Sequence, residues 1–495
     1  MSLTILRSSA VGLQEQLQSG GLTSVQLVGI FLDQISAHNG DGMRLNALIS
    51  TLDRTLALET AKRLDDERAN GKLRSPLHGI PIVIKDCIVT GPELRMPTTV
   101  GSHVFSKQKP TGNAPLVNQL LESGLIIIGK GNMTEFSGLK SDNTPIGWSA
   151  VGGQVGALES FMSTLGRLCS ASTDTGNTCG GSSSGPATAV AAGFAPLGIG
   201  TETSGSLVYP ASCCGLYGMK LTPRSTPTEG VFKLSNTFDA LGVLGRTPED
   251  LALLAEIIFN EKRRESLGLQ GLASMLKDAT WSELCIGMVA PTWGVAFALD
   301  KWSGSDVLGA KVEYPLDILD GTALRCGDDN LVTAAYAEFP KRVEEFISNF
   351  EKNAALKGLA DLIRWNEEHP DALPAPYTTQ TELIRSHDSK MTEDRHKEVC
   401  NELQRLVVEG ELGNMMKNTG LDIMLAPSDS TMVSYAACAG WPIATVPLSR
   451  TESNGQPFGL FALARENRED LLLKFMQVFE RDFPNNVAAT EPFRR

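Results

Sequence analysis

Apolar and polar positions along the chain follow two rhythms. Short, unbroken apolar runs mark buried strands. They are Ile80 to Ile84, closed by Lys85; Leu125 to Ile128, followed by Gly129-Lys130; and Asp422 to Pro427. Helical spacing fills much of the rest. Val11 to His38 repeats at that period, with Leu22-Thr23-Ser24 as a helix start and Val25, Leu27, Val28, Phe31 and Leu32 as the inward face. Asn46 to Asn70 reads as a second helical region. Further helices are expected over 116–121, 251–260, near 337–352, 356–368 and 391–417, and over 468–481. Neither an internal repeat nor a linker breaks this alternation, so residues 1–495 read as one domain.

One stretch departs from both rhythms. Thr178 to Lys220 is dense in small residues, with Gly/Ser clusters at Gly180–Gly185 and Thr201–Ser206. Between them lies the apolar segment Pro186 to Gly193. Proline just inside its start and glycine at its end predict a buried helix, followed by a strand over Ala195–Ile199 and a second loop. This order can place both serine-rich loops at one end of a βα layer. Such loops turn backbone N–H groups toward a ligand, and a serine on them is a nucleophile only with a base nearby. A flexible linker is the alternative. The enclosed apolar helix and the run into Leu207-Val208-Tyr209-Pro210 argue against it.

Composition narrows the chemistry. The chain is 42% hydrophobic and 20% charged, which suits a soluble globular protein. Its net charge of −13 argues against a nucleic-acid partner. Nine cysteines, without CxxC or Cys/His metal spacing, predict thiols in a reducing compartment. The N-terminus has no sustained apolar core, and no stretch approaches the roughly 18 apolar residues of a membrane span. A cytoplasmic protein is expected. The histidines at 38, 78, 103, 369, 387 and 396 lack paired ligand spacing, so neither metal nor cofactor is expected. Gly124-x-x-x-x-Gly129-Lys130 imitates a phosphate loop. Its interior, however, is a strand, and Gly131 stands where Ser or Thr is required.

The segments Gly-Gly-Ser-Ser-Ser-Gly (180–185), Gly-Thr-Glu-Thr-Ser-Gly-Ser (200–206), Pro210-Ala211-Ser212 and Gly218-Met219-Lys220 resemble the amidase signature family. Ser206 follows Ser182 by 24 positions, the family's interval, and Leu77-His78-Gly79-Ile80-Pro81 leads to a matching Lys85. The resemblance spans roughly residues 10–482 and is weakest over 262–420, a segment that could shape the substrate site. It implies an α/β fold: a single large domain with a mixed central sheet covered by helices on both faces. It also implies a serine-dependent hydrolase of a small-molecule amide, with ester cleavage as a side activity. Carried over by position, Ser206 is the nucleophile that becomes acylated. Ser182, after a cis peptide, relays the proton, and Lys85 is the base. The backbone N–H groups of Thr203, Ser204, Gly205 and Ser206 form the oxyanion hole, with Ser183 and Thr201 tying the two loops together. Burial in an apolar strand would lower the pKa of Lys85, as a neutral base requires. Strand alternation turns Asp86 away from it. His78 is expected to be structural. The resemblance leaves room for a homodimer.

Departures from the pattern bear on the substrate rather than the reaction. Cys87 stands where the family often has Asn, Ser204 where it often has Gly, and Val208 where it often has Arg; the last argues against a carboxylate-bearing substrate. Trp148, Phe161, Tyr209 and Trp441 are candidates for the acyl pocket, with core packing as the alternative. Three rival readings remain. Gly181–Gly185 also satisfies Gly-x-Ser-x-Gly, which would make Ser183 the nucleophile of an α/β-hydrolase elbow, although a loop precedes it instead of a strand. The others are the glutaminase subunit of a tRNA-dependent amidotransferase, and a binding protein on a decayed hydrolase scaffold.

Overall fold

The computed structural model describes residues 2–157, 177–268, 271–290, 293 and 309–484. The apolar runs are strands of one 11-stranded mixed sheet. In chain order these are β1 (Leu48–Thr51), β2 (Pro81–Lys85), β3 (Ile126–Gly131), β4 (Leu197–Glu202), β5 (Tyr217–Lys220), β6 (Ala240–Gly245), β7 (Cys285–Val289), β8 (Lys311–Leu316), β9 (Ile423–Pro427), β10 (Ile443–Arg450) and β11 (Pro457–Ala464). Across the sheet they run β1-β3-β2-β4-β6-β5-β10-β11-β9-β7-β8. β2 lies between β3 and β4 and is parallel to both. Every residue of these three strands is buried. Such strands need cover on both faces, which is why they read as unbroken apolar runs. Helices supply the cover, giving a single large α/β domain.

Helix α1 (Ser24–His38) starts at Thr23. The Thr23 hydroxyl accepts from Gln26 N, and the Gln26 side chain accepts from Thr23 N, closing a capping box. Its buried face carries Leu27, Val28, Phe31, Leu32 and Ile35 and packs on helix α2 (Arg54–Ala69). Among the described residues no helix is long and apolar enough to cross a membrane.

Several boundaries differ from expectation. Asn46–Asn70 is not helical throughout, because Leu48–Thr51 forms β1 and pairs antiparallel with β3. The Asn39 amide exchanges bonds of 2.9 Å with the N–H and carbonyl of Leu48, and Asp53 accepts from Leu56 N to cap α2. That Asp53 cap is the signal for the later helix start. The strand expected at Ala195–Ile199 is β4, which carries Thr201 and Glu202 to its end. Segment 391–417 is two helices, Glu393–Val408 and Glu411–Thr419, parted at Gly410, and Thr381–His387 is a further helix.

Helix α3 (Ser184–Ala191) is buried at every position and contains little but small residues. Close approach explains this. A Cβ at Gly131 would strike the Pro186 ring, and one at Gly185 would strike the backbone of Ala47 and Asn132. Backbone cannot step aside as a side-chain tip can. Gly185→Ala is therefore expected to destabilise the fold by about 3 kcal/mol, the upper end of typical overpacking costs. This would appear as a lower urea midpoint at unchanged slope. An unchanged midpoint would show that the loop before α3 is free to shift.

Candidate active site

The carboxyl ends of β2 and β4 open at the same edge of the sheet, the usual place for a site in such folds. β2 delivers Lys85 and β4 delivers Thr201 and Glu202. α3 packs on both strands, which sets Ser182 and Ser183, just before it, over those ends. The Gly181–Ser182 peptide is cis. Lys85 Nζ lies 2.8 Å from Ser182 Oγ and 2.9 Å from Thr201 Oγ1. Lys85 is fully buried, Ser182 is 4% exposed, and Ser206 is half-buried. Burial thus falls from Lys85 through Ser182 to Ser206.

Lys130, Lys140 and Lys220 are also fully buried, and their partners set Lys85 apart. Lys130 faces the Asp86 carboxylate at 3.6 Å and donates to Ile88 O and Thr98 Oγ1. Lys140 pairs with Glu135 at 2.9 Å, and Lys220 donates to Thr203 O at 2.9 Å. Lys85 reaches two hydroxyls. Burial lowers its pKa to about 8, against the smaller opposing pull of Cys87, Asp239 and Glu202. Asp86 turns to the other side, where Thr99 and Gly101 donate to it. Cys87 lies 3.8 Å from Thr201 Oγ1.

The two serine loops are tied to each other. Ser183 Oγ donates to Thr201 O at 3.1 Å and accepts from Thr201 N, while Ser183 N donates to Ser206 O at 2.9 Å. Ser183 is fully buried by these contacts. The 203–206 loop is pinned from outside. Glu202 Oε2 accepts from Leu207 N and Val208 N, both at 2.9 Å, at the start of helix α4 (Val208–Cys213). Thr203 Oγ1 donates to Asp239 at 2.7 Å. The backbone N–H groups of Thr203, Ser204, Gly205 and Ser206 have no acceptor among the described residues. A held loop with unspent donors can receive an anionic oxygen.

Sequence reasoning passed over several of these residues. Glu202, Lys220 and Asp239 lie in segments covered by the resemblance, yet nothing in their spacing marks a role; a carboxylate inside a Gly/Ser cluster is the available signal. Ile146 is 52% exposed, and its side chain closes on Gly181, beside the cis bond. Val433 packs across Gly205. No apolar periodicity marks either one. Of the aromatic candidates, Trp441 is core, 4% exposed, and Tyr209 is half-buried next to the 203–206 loop. Trp148 packs against Tyr377, with centroids 4.8 Å apart. Phe161 lies outside the described residues. His78 is buried, with Nε2 2.9 Å from Leu64 O. Lys130 closes a true strand, in keeping with the rejected phosphate loop.

A mixed sheet with a lysine and serines at its carboxyl edge is an arrangement that can carry hydrolytic chemistry. The model of the amidase family matches residues 26–270, and the chain belongs to the amidase signature family, hydrolases of carbon–nitrogen amide bonds. It is 26% identical over 527 residues to a protein of Schizosaccharomyces pombe named as an amidase, spanning 97% of this chain and 86% of that one. The structure of the native peptide amidase from Stenotrophomonas maltophilia superposes with a TM-score of 0.82 at 26% identity, covering 96% of each chain. One component of the glutamyl-tRNA(Gln) amidotransferase of Chloroflexus aggregans is 34% identical over 250 residues, which is 50% of this chain and 46% of that one.

Proposed function

We propose that the protein cleaves small or medium carboxylic amides through an acyl-enzyme on Ser206. The observation that carries this reading is the 2.8 Å contact from fully buried Lys85 to Ser182. Neutral Lys85 takes a proton from Ser182 as Ser182 takes one from Ser206, and Ser206 Oγ attacks the amide carbonyl. The N–H groups of 203–206 hold the oxyanion. Ser182 returns the proton to the leaving nitrogen, and water, deprotonated by the same path, frees the acid and restores Ser206. Esters form the same acyl-enzyme and are cleaved as a side activity. Ser183 and Thr201 serve as ties between the loops.

Ile146 and Val433 favour an apolar substrate flank, and Val208 supplies no cation for a carboxylate. Segment 370–381 of the divergent region meets the loop bearing Ile146 through Ser141–Thr379 and Asp142–Thr381 bonds and the Trp148–Tyr377 contact. It shapes that flank. The amidotransferase match covers only half of the chain and supports a shared site rather than a tRNA-linked role. Free glutamine is expected to release no ammonia.

A serine-directed fluorophosphonate with peptide mapping tests the assignment. A single adduct on Ser206 is expected; an adduct on Ser183 would overturn it in favour of the elbow. The oxyanion loop has its own test. Thr203→Val deletes the bond to Asp239 and is expected to lower kcat with KM little changed, by less than the ~10²–10³-fold cost of losing an oxyanion donor. Unchanged steady-state kcat would mean that Glu202 and Lys220 hold the loop alone.

A further inference from the structure

We propose that Glu338, His396 and Cys400 form a binding site for a borderline-soft divalent cation, with Zn²⁺ as its occupant. Helix α5 (Leu331–Ile347) carries Glu338. Helix α6 (Glu393–Val408) carries His396 and Cys400 one turn apart, and the two helices pack together. His396 Nε2 lies 3.1 Å from Glu338 Oε1 and 3.4 Å from Cys400 Sγ, and all three donor atoms fall within 4.8 Å of one another. In a tetrahedral zinc site with ordinary bond lengths, the N–O and N–S edges are about 3.4 and about 3.6 Å. Two edges are therefore preformed to within a few tenths of an ångström.

Nε2 faces the Glu338 carboxylate, while Cys400 Sγ lies beside the ring, 3.4 Å from Nε2 and 4.0 Å from Nδ1. Sulfur, nitrogen and oxygen donors are the set zinc takes, and a cation held by Nε2 and Glu338 would draw the sulfur round to complete the trio. The side chains of His396 and Glu338 are 19% and 12% exposed, sheltered yet reachable from solvent. The sequence hides the site because a histidine four positions before a cysteine is not paired-histidine spacing, and the glutamate comes from another helix.

The site connects to the proposed oxyanion loop. Glu338 also accepts from Ser235 Oγ at 2.6 Å and Asn236 N at 2.7 Å, holding the turn that presents Asp239 to Thr203. A cation on Oε1 competes with the Ser235 bond, so occupation loosens this turn and lowers kcat. This second step rests on the proposed role of loop 203–206, whereas binding does not.

The test is titration of the full-length, chelator-treated protein with Co²⁺ and then Zn²⁺. One Co²⁺ per chain is expected, with tetrahedral ligand-field bands and a thiolate-to-cobalt absorption, both displaced by Zn²⁺. Cys400→Ser should abolish the thiolate band. His396→Ala and Glu338→Gln should weaken binding by more than the ~10–100-fold cost of losing an outer-sphere partner. Absence of the bands in the wild type, or bands that survive Cys400→Ser, would overturn the site. Zn²⁺ should lower wild-type kcat several-fold and leave Cys400→Ser unaffected. Saturating Zn²⁺ without effect on the wild type would overturn the coupling, while the spectra report on the site separately.

Discussion

Ser206→Ala is expected to lower kcat by about 10⁶-fold on any amide the wild type turns over, the scale seen when a serine hydrolase loses its nucleophile. The fold should not respond. Ser206 is half-buried, and the contact that orders its loop uses its carbonyl, which accepts from Ser183 N. An unchanged thermal midpoint together with lost turnover is therefore the expected pair. The unspent N–H donors of 203–206 remain, so substrate should still bind and a small rate above water should survive. Ser183→Ala makes the contrast. It deletes a hydroxyl that bridges both Thr201 backbone groups, so it should reduce activity modestly and stability measurably. Retained amidase activity in Ser206→Ala would end the acyl-enzyme reading, and activity lost with the fold in Ser183→Ala alone would not restore the elbow.

The central strands and their lysine were legible in the sequence because burial on both faces writes an unbroken apolar run. Distinguishing Lys85 from Lys130 was not. Both close an isoleucine-rich strand, and composition gives them equal standing. The difference is made by Asp86, which alternation turns toward Lys130 and away from Lys85, and by two hydroxyls from distant loops. Strands β7 and β8 went unseen for other reasons. β8 sits at the sheet edge, its residues are partly exposed, and it carries a proline that an edge tolerates. Glu202 and Asp239 show the remaining limit: a buried carboxylate declares its work only once the N–H groups it holds are known. The Glu338–His396–Cys400 cluster is the same lesson across two helices.

The second large effect concerns Lys85. Because burial holds its pKa at about 8, kcat/KM should rise about tenfold per pH unit below that value and level off above it, as the neutral base accumulates. Lys85→Met should lose the remaining ~10²–10⁴-fold that general-base catalysis provides, and with it the pH dependence. Stability should move in the other direction. A lysine whose pKa is 10.5 when unfolded and about 8 when folded binds its proton less well in the native state. The cost, about 3 kcal/mol, is full below pH 8 and disappears as pH rises toward 10.5. The wild type should therefore gain stability relative to Lys85→Met across that window, in parallel urea titrations at each pH. The carboxylates near Lys85, Asp239 and Glu202, are too few and too indirect to cancel the desolvation, so the fold bears a destabilised lysine that the chemistry uses. A flat pH–rate profile from 6 to 9 would remove Lys85 as the base. A flat stability difference over 8 to 10.5 would instead show that its charge is already solvated in the native state.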